Sequence, residues 1–386
     1  MRICHITPHL PPDQAANALL PCQLAMWARD AGDEPTFVAH PPRASDRAPA
    51  ALPGGVIWIP RRRRGGIMSA LTLSSAGAAL GIASRISPAV RKADVVHIHS
   101  NGLLAETGAW VAGRLGKPYI LTLYGTEIWH YAPRRLGVDL FTRAYRQAHA
   151  ITFYSRGLLD KASELGLARA RMTVIYPPVT RDFHPLNPDG RRAARAALGI
   201  DAEHLLVNVK RLHPLAGHHT LLDAMPAVVS VHPGTHLVVC GTGPLADTLA
   251  ARSRTLRLER HVTFAGLVDN HRVAQYDMAA DAFVLPSLLE ACPTVAVESL
   301  ACGTPVISTD NPGGVELNGL FGDDVTVVPR SDPASLGQAI VDFLAGKRRT
   351  RDATTAVLEQ QFNPDRVSAR FRALYRQALG TRAEDR

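Results

Sequence analysis

Two glutamates, Glu290 and Glu298, bracket a mostly apolar run of seven residues. Pro293 within that run suits the first turn of a helix and Gly303 suits its end, so we predict a helix here. Glu290 then lies in the preceding loop and Glu298 on the second turn. Free N–H groups at a helix start bind anions, and carboxylates accept hydrogen bonds from hydroxyl groups. The spacing therefore predicts a site for a polar ligand that carries both hydroxyl groups and an anionic group.

Two further segments offer groups that bind phosphate. Lys210 and Arg211 follow the apolar run Leu205–Val209, and a cation pair that leaves a buried strand is well placed to bind phosphates. The run Leu237–Cys240 is followed by Gly241-Thr242-Gly243-Pro244, in which two glycines allow a ligand to approach the backbone closely. By itself this turn is equally typical of an ordinary connection between a strand and a helix.

Alternating strand and helix signals run along the whole chain and predict parallel sheets of the doubly wound α/β class. In the first half we predict strands at Ile3–Ile6, Val95–Ile98, Tyr119–Leu123 and Ala150–Phe153, with helices at Leu19–Arg29 and Leu140–Gln147. In the second half we predict strands at Leu205–Val209, Leu237–Cys240, Val262–Phe264, Ala282–Leu285, Val306–Ser308 and Val325–Val328. Ligands of such sheets bind beyond the carboxyl ends of the strands, where the three segments described above lie.

The chain has 386 residues, which exceeds the usual size of a single core, so two domains are expected. Prolines concentrate at Pro177, Pro178 and Pro185 and indicate a linker. We predict a first domain at residues 1–178 and a second at residues 179–365. The last helix, at residues 366–386, is expected to return toward the first domain.

A basic excess lies in the first half, where residues 1–180 hold 21 Lys and Arg against 11 Asp and Glu. This excess suits contact with an anionic membrane surface or a phosphorylated substrate, and an Arg-rich surface without a partner is an equal alternative. No nucleic-acid motif accompanies it, so nucleic acid is not an expected partner. The uncharged stretch Ile67–Ser84 follows Arg61–Arg64 and is rich in Ser, Gly and Ala, which favours a domain helix over a membrane span.

The five cysteines are scattered and form no Cys-x-x-Cys pair, which argues for a reducing compartment and against a structural zinc site. The first residues lack the long apolar core of a signal peptide. We therefore expect a cytoplasmic protein, with peripheral contact at the inner face of the membrane, through the basic first domain, as the alternative.

The second half resembles the donor domain of the retaining glycosyltransferase family 4, which has the GT-B architecture of two Rossmann-like domains that face each other across a cleft. The first half resembles the acceptor domain of that family more loosely. In the second half the resemblance rests on Lys210–Leu212, Gly217, Val239–Pro244, Val262–Gly266, Ala280–Ser287, Glu290, Glu298 and Gly303–Ile307. In the first half it rests on Ile6–Pro8, Asp94–His99 and Thr122–Glu127.

The resemblance implies a hexosyltransferase that retains the anomeric configuration. The donor would be a nucleoside diphosphate sugar, UDP-linked before GDP-linked, and the acceptor a hydroxyl of a glycan, a lipid-linked glycan or a small metabolite. Arg211 would stabilise the departing diphosphate, Glu290 would hold hydroxyls of the donor sugar, and Glu298 would hold the ribose. The implied donor-binding residues are Lys210, Gly241, Gly243, Pro244, Phe264, Thr294, Val295 and Glu298. No cofactor and no divalent metal is expected, because fixed cations and helix starts neutralise the leaving group.

The acceptor-side candidates are His97, His99, Tyr124 and Glu127. His97 and His99 lie on one face of a predicted strand, and we expect one of them to face the cleft. Two imidazoles can begin a zinc site, but no third ligand is evident nearby in the sequence, so no metal is expected.

Three positions depart from the family pattern. Ala216 replaces a lysine, the first loop has Asp13–Asn17 in place of a glycine pair, and Tyr124 replaces a histidine. Loss of a cation beside a diphosphate weakens transition-state stabilisation, so the alternative function is a noncatalytic or impaired nucleotide-sugar-binding relative. A NAD-dependent dehydrogenase is disfavoured because Ala246 stands where the third glycine after Gly241-Thr242-Gly243 is needed.

Overall fold

The structure, a computed structural model, describes residues 1–13, 16–42, 51–61, 72–132, 139–167 and 171–384. The chain divides into two compact units: Met1–Tyr176 with Val367–Arg386, and Pro177–Arg366. The boundary at which the chain passes from the first unit to the second lies among the prolines of the predicted linker. Most of the last helix belongs to the first unit.

The first unit contains a parallel sheet of seven strands in the order β3-β2-β1-β4-β5-β6-β7. The strands are β1 (Arg2–Thr7), β2 (Glu34–Ala39), β3 (Gly55–Trp58), β4 (Val95–His99), β5 (Tyr119–Leu123), β6 (Ala150–Phe153) and β7 (Met172–Val174). The helices are α1 (Ala16–Asp30), α2 (Thr72–Lys92), α3 (Leu103–Arg114), α4 (Thr126–Trp129), α5 (Leu140–Gln147) and α6 (Arg156–Glu164). The central strands are buried almost throughout, which is why they appear in the sequence as short apolar runs.

Three strands of this sheet lie outside the sequence-based prediction. β2 starts at Glu34 and contains Pro35, β3 is an edge strand with half-exposed side chains, and β7 has three residues. Short and edge strands lack the continuous apolar run that identifies a buried strand. The four strands that were predicted in this half are confirmed.

The second unit contains a parallel sheet of six strands in the order β10-β9-β8-β11-β12-β13. The strands are β8 (His204–Val209), β9 (Thr235–Cys240), β10 (Val262–Gly266), β11 (Ala282–Leu285), β12 (Val306–Thr309) and β13 (Val325–Val328). The helices are α7 (Pro188–Ala197), α8 (His218–Val231), α9 (Ala246–Thr255), α10 (Asn270–Ala279), α11 (Thr294–Ala301), α12 (Pro312–Phe321), α13 (Pro333–Ala345) and α14 (Asp352–Val357). Helix α15 (Pro364–Glu384) ends the described chain. All six predicted strands are present, so the expectation of two doubly wound α/β units is confirmed.

The core of the second unit explains why its strands are easy to predict. Leu206, Val239, Val284 and Ile307, one from each of four neighbouring strands, belong to a single buried cluster with side chains of α8 and α13. Because helices cover a parallel sheet on both faces, its strands contain almost only apolar residues.

The uncharged stretch Ile67–Ser84 is only partly described. Residues 67–71 and Arg62–Arg64 lie outside the described residues, and the rest of the stretch forms the first part of α2. None of the described helices combines the length and the apolar composition that crossing a bilayer requires.

Candidate active site

The predicted donor residues gather at the carboxyl edge of the second sheet. Strand β8 pairs with β9 on one side and with β11 on the other, so the direction of winding reverses between β8 and β11. Loops that follow strands on either side of such a reversal diverge and leave a crevice at the carboxyl edge. Lys210 and Arg211 follow β8, Gly241–Pro244 follow β9, and Glu290 lies in the loop after β11.

The glycines of the loop after β9 are required by its close contact with the loop after β8. A Cβ atom on Gly241 would lie 2.0 Å from the carbonyl oxygen of Lys210, and one on Gly243 would lie 2.3 Å from that of Leu212. Leu212 N–H donates to the carbonyl oxygen of Thr242 over 3.0 Å. The two glycines therefore hold the backbones of these loops together, and Pro244 beside them is exposed.

An ion pair joins the loops after β8 and β11. The ammonium nitrogen of Lys210 lies 2.5 Å from Oε1 of Glu290, and their side chains are only 28% and 11% exposed. The neighbouring Gly313 N–H donates to the Glu290 carbonyl oxygen over 3.0 Å, and a Cβ atom on Gly313 would meet the Glu290 Cβ at 2.9 Å. Glu290 is thus fixed at the crevice by both its side chain and its backbone.

Arg211 differs from its neighbour Lys210 because it is exposed and pairs with no described carboxylate. The two cations thus occupy different environments, as strand alternation predicts. A guanidinium that no described carboxylate neutralises, at the carboxyl edge of a sheet, suits an anionic ligand.

Helix α11 starts one residue later than predicted. Pro293 is the residue that caps the helix, Thr294 is its first residue, and Gly303 follows its end with φ of 75°. The prediction that Pro293 lies in the first turn is therefore wrong by one position. Thr294 and Val295 are half-buried in the first turn, and Glu298 is half-buried on the second. Phe264, in the middle of β10, is also half-buried and packs against the core cluster.

Glu298 has a buried acidic neighbour that the sequence did not reveal. Asp277, on α10, is fully buried, and neither of its carboxyl oxygens has a described partner. Burial, together with the charge of Glu298, holds the pKa of Asp277 well above its usual value, whereas burial raises the pKa of Glu298 to about 7. Of the two carboxyls, burial therefore disfavours ionisation of Asp277 in particular, which leaves Glu298 as the candidate to carry the negative charge.

The turn that lacks the usual lysine is compact and apolar. Ala216 is buried at the end of a short 3₁₀ turn, Pro214–Ala216, which follows the half-buried His213. His218 is also buried; its Nε2 lies 3.0 Å from Oδ1 of Asn208, and burial lowers its pKa to about 4. Neither Ala216 nor a neutral His218 supplies a cation here, whereas Lys210 does lie at the crevice.

Gly217 offers a stability prediction, because its φ is 70° and a Cβ atom there would lie 1.9 Å from the Pro286 carbonyl oxygen. Gly217→Ala should lower the free energy of unfolding of the second unit by about 3 kcal/mol or more, since clash adds to backbone strain. Gly199 has almost the same φ, 69°, with no atom within 4 Å of the added Cβ, so Gly199→Ala is the control and should cost about 1–2 kcal/mol. Thermal unfolding followed by circular dichroism measures both; equal losses would contradict a clash with Pro286.

In the first unit the acceptor-side candidates lie at the carboxyl ends of β4 and β5. Glu127 is buried and accepts hydrogen bonds from Ser100 Oγ over 2.6 Å and from Gly125 N–H over 2.8 Å. Its carboxylate therefore links the loop after β4 to the loop after β5. Tyr124, in the same loop, is half-buried, and its hydroxyl lies 2.7 Å from Nδ1 of His99.

His97 and His99 are both fully buried, contrary to the expectation that one of them faces the cleft. Each imidazole is held by neighbours: His97 Nδ1 lies 2.7 Å from the hydroxyl of Tyr375 on α15, and its Nε2 lies 2.7 Å from Thr122 Oγ1. Of the four acceptor-side candidates, only Tyr124 is partly accessible.

A third histidine completes the group, so the expectation that no third ligand lies nearby is wrong. His5, on β1, is paired in register with His97, and its Nδ1 lies 3.1 Å from Nε2 of His99. One nitrogen from each of the three rings lies within 4.8 Å of the others, so they could hold a metal ion. Five of the six ring nitrogens already have hydrogen-bond partners, however, and His5 Nε2 is the exception. In this structure the three histidines therefore form a hydrogen-bonded network.

Sequence profiles of known families match both units. The profile described as "Glycosyl transferases group 1" matches residues 190–358, and the one described as "Glycosyltransferase Family 4" matches residues 22–183. The chain thus belongs to the family 4 glycosyltransferases and is a transferase, as the motifs of the second half indicated.

Two relatives support this membership. The chain is 30% identical over 301 residues to the putative teichuronic acid biosynthesis glycosyltransferase TuaC of Bacillus subtilis, a match that covers 76% of this chain and 69% of that protein. It is 27% identical over 284 residues to the GDP-mannose-dependent alpha-(1-6)-phosphatidylinositol monomannoside mannosyltransferase of Mycolicibacterium smegmatis, covering 69% of this chain and 72% of that protein.

Solved structures confirm the GT-B fold. The sucrose-phosphate synthase of Thermosynechococcus elongatus superposes with a TM-score of 0.74 at 20% identity, covering 99% of this chain and 100% of that one. Anabaena HepE, solved in complex with UDP-glucose, superposes with a TM-score of 0.73 at 17% identity and full coverage of both chains. At such low identities the likeness concerns the fold alone.

Proposed function

We propose that this protein transfers a hexose from a nucleoside diphosphate sugar to a hydroxyl group and retains the anomeric configuration. The observation that carries the proposal is the arrangement at the carboxyl edge of the second sheet. There the Lys210–Glu290 ion pair, the exposed Arg211 and the start of α11 lie on the loops that flank the reversal between β8 and β11. Two cations and a helix start suit a diphosphate, and two carboxylates suit hydroxyl groups.

The residues divide the chemistry as follows. Arg211 and Lys210 neutralise the diphosphate as the bond between the anomeric carbon and the phosphate oxygen breaks. The electron pair of that bond goes to the phosphate oxygen, which takes the proton of the acceptor hydroxyl as the new carbon–oxygen bond forms on the same face. Glu290 holds hydroxyls of the donor sugar, and Glu298 accepts hydrogen bonds from the ribose hydroxyls.

On the side that binds the acceptor substrate, we assign Tyr124 the role of a hydrogen-bond donor. A buried N–H without a partner is rarer than an unpaired lone pair, so His5 carries its proton on Nδ1 and leaves Nε2 bare. His5 then donates to His99 Nε2, and His99 Nδ1–H donates to the Tyr124 hydroxyl oxygen. The phenol proton of Tyr124 remains available for a ligand.

No divalent metal is required in this proposal, because the side chains of Lys210 and Arg211 already supply two positive charges at the crevice. We expect a UDP-linked sugar as the donor substrate in preference to a GDP-linked one. Among the similar proteins HepE was solved with UDP-glucose, whereas the Mycolicibacterium smegmatis enzyme is named for GDP-mannose, so both nucleotides belong in the test. A glycan, lipid-linked glycan or small metabolite supplies the acceptor hydroxyl.

The test is titration calorimetry of the full chain with UDP and GDP, each with and without chelator, followed by mass spectrometry of products from UDP- and GDP-sugars. We expect binding of one nucleotide that chelator does not weaken, together with release of that nucleotide from its sugar. Absence of binding to either nucleotide contradicts the proposal. Binding without turnover for any donor would instead support an impaired nucleotide-sugar-binding relative, for which the buried Ala216 is the structural reason.

The pH dependence of nucleotide binding tests the role of Glu298. Because its pKa is raised to about 7 and the ionised form accepts the ribose hydroxyls, protonation should weaken binding as pH falls below about 7. The Kd for UDP should rise by up to about tenfold per pH unit between pH 7 and 5.5. Phosphate itself titrates near pH 6, so Glu298→Gln is the control: it should bind weakly at pH 8 and show the smaller pH dependence that belongs to the ligand. Parallel curves for both proteins would exclude this role.

A further inference from the structure

A basic cavity of about 440 Å³ lies in the first unit, at the edge of the sheet opposite to the candidate acceptor residues. It is placed at the amino end of β5, next to Pro118 and Tyr119, whereas Tyr124 follows the carboxyl end of the same strand. A five-residue strand is about 16 Å long, so the cavity is distinct from the acceptor side. Its walls come from α3, the loop after α3, the start of β5, α5, His149 just before β6, and Ala378 of α15.

The described lining of this cavity includes three cations, Arg114, Lys117 and Arg143, and no acidic residue. Two of the cations are held in place: the Arg114 guanidinium lies 5.4 Å from the centre of the Trp110 ring, and Lys117 Nζ donates to the carbonyl oxygen of Ala93 over 2.6 Å. Arg143 is exposed and pairs with no described carboxylate. Three basic residues thus line one concave surface.

The ends of the neighbouring helices explain only part of this charge. Arg114 lies in the last turn of α3, where the helix dipole stabilises a cation. Lys117 donates to the carbonyl oxygen of Ala93, directly after the carboxyl end of α2, so it too stabilises a helix end. Arg143 lies in the first half of α5, so the dipole at a carboxyl terminus does not account for it. His149 also lines the cavity, and its Nδ1 lies 2.9 Å from the guanidinium of Arg171, which is itself not a lining residue. Positive charges that line one surface without an acidic residue among them repel each other, and a bound anion relieves that repulsion.

We propose that this cavity binds a phosphate group, carried either by a lipid headgroup or by a soluble phosphorylated compound. Arginine forks and a lysine ammonium are the groups that proteins use for phosphate. The half-buried indole of Trp110 offers apolar contact for the body that carries the phosphate. The proposal is independent of the donor site, because no residue of the cavity belongs to the second unit.

Two probes distinguish the sources of the phosphate: glycerol 1-phosphate in solution, and vesicles of phosphatidylcholine with or without about 30% phosphatidylglycerol. The soluble probe is titrated while the indole N–H signals are followed by NMR, since the chain has four tryptophans and Trp110 lines the cavity. Vesicle binding is measured by co-sedimentation at two salt concentrations, because electrostatic contact weakens with salt. Trp110→Phe assigns the reporting signal.

The test variant is Arg114→Gln/Lys117→Gln/Arg143→Gln, and the control is Arg29→Gln/Arg85→Gln/Arg156→Gln. The control removes the same charge from exposed positions of the same unit that do not line the cavity. Unchanged thermal unfolding of both variants verifies folding.

We expect the wild type and the control to bind one of the probes and the test variant to lose at least about tenfold in affinity. A shift of the Trp110 signal by glycerol 1-phosphate identifies a soluble ligand, and binding only to vesicles with phosphatidylglycerol identifies a lipid headgroup. Equal losses in the two triple variants would show unspecific charge attraction and overturn the proposal, as would the failure of both probes to bind the wild type.

Discussion

Arg211→Ala should lower kcat for sugar transfer by about 10²–10³-fold, the usual effect of removing one preorganised electrostatic donor from an active site. The reason is that the leaving diphosphate gains negative charge in the transition state, and Arg211 is the exposed cation at the crevice that has no described carboxylate partner. Lys210 can compensate only in part, because its ammonium group lies 2.5 Å from Glu290. The measurement is the steady-state rate of nucleotide release with the donor identified by product analysis.

The control for this prediction is Arg254→Ala, which removes another exposed arginine of the second unit, on α9, that has no described ion-pair partner. It should leave kcat and KM unchanged, and both variants should unfold at the wild-type temperature, since surface substitutions of this kind alter stability by less than about 0.5 kcal/mol. Arg211→Lys should recover part of the rate, because it restores the charge without the planar fork. A kcat for Arg211→Ala equal to that of the control would remove Arg211 from the mechanism.

The sequence predicts the architecture of the second unit better than that of the first, for a reason that can be seen in the strands. β8 and β11 are buried on both faces and occur as apolar runs, whereas β2 and β3 carry polar, proline or half-exposed positions. Hydrophobic periodicity detects burial rather than strand pairing, so it does not detect edge strands.

Contacts at the site were predictable only where a motif fixes the local backbone. The glycines at 241 and 243 indicated close backbone approach, and the structure shows that the approach is to the carbonyl oxygens of Lys210 and Leu212. The Lys210–Glu290 pair joins residues 80 positions apart through the neighbouring strands β8 and β11, and no local pattern reveals which strands are neighbours. For the same reason the sequence did not show that Asp277 is a neighbour of Glu298.

The histidine network was missed for a related reason, although its signal was present. His5 occurs within the run Ile3–Ile6, and a polar residue in a strand that is otherwise buried needs a partner of its own. Its partner His99 lies 94 residues away, in the adjacent strand β4. Alternation placed His97 and His99 on one face correctly, but it could not show that α15 covers this face with Tyr375.

These buried histidines should make the first unit sensitive to acid. Burial lowers the pKa of His5 to about 3, and burial together with the neighbouring imidazoles holds the pKa values of His97 and His99 well below their usual value. In the unfolded chain each titrates near 6.5, so between pH 6.5 and the folded values the unfolded state binds more protons. Stability is therefore complete above pH 6.5 and falls as pH decreases, by up to about 1.4 kcal/mol per pH unit for each histidine.

Three such histidines can remove up to about 4 kcal/mol per pH unit, so the first unit should lose up to about 6 kcal/mol by about pH 5, a large part of the total of about 5–15 kcal/mol for a typical domain. Urea unfolding between pH 7.5 and 5, followed by tryptophan fluorescence, isolates this unit, because Trp27, Trp58, Trp110 and Trp129 all belong to it. His5→Phe should reduce the slope of stability against pH by up to a third, because it removes one of the three histidines that take up a proton on unfolding. The substitution removes a single hydrogen bond. His130→Gln, at an exposed position, is the control. If His5→Phe kept the full slope, the acid sensitivity would have to come from other groups of the first unit.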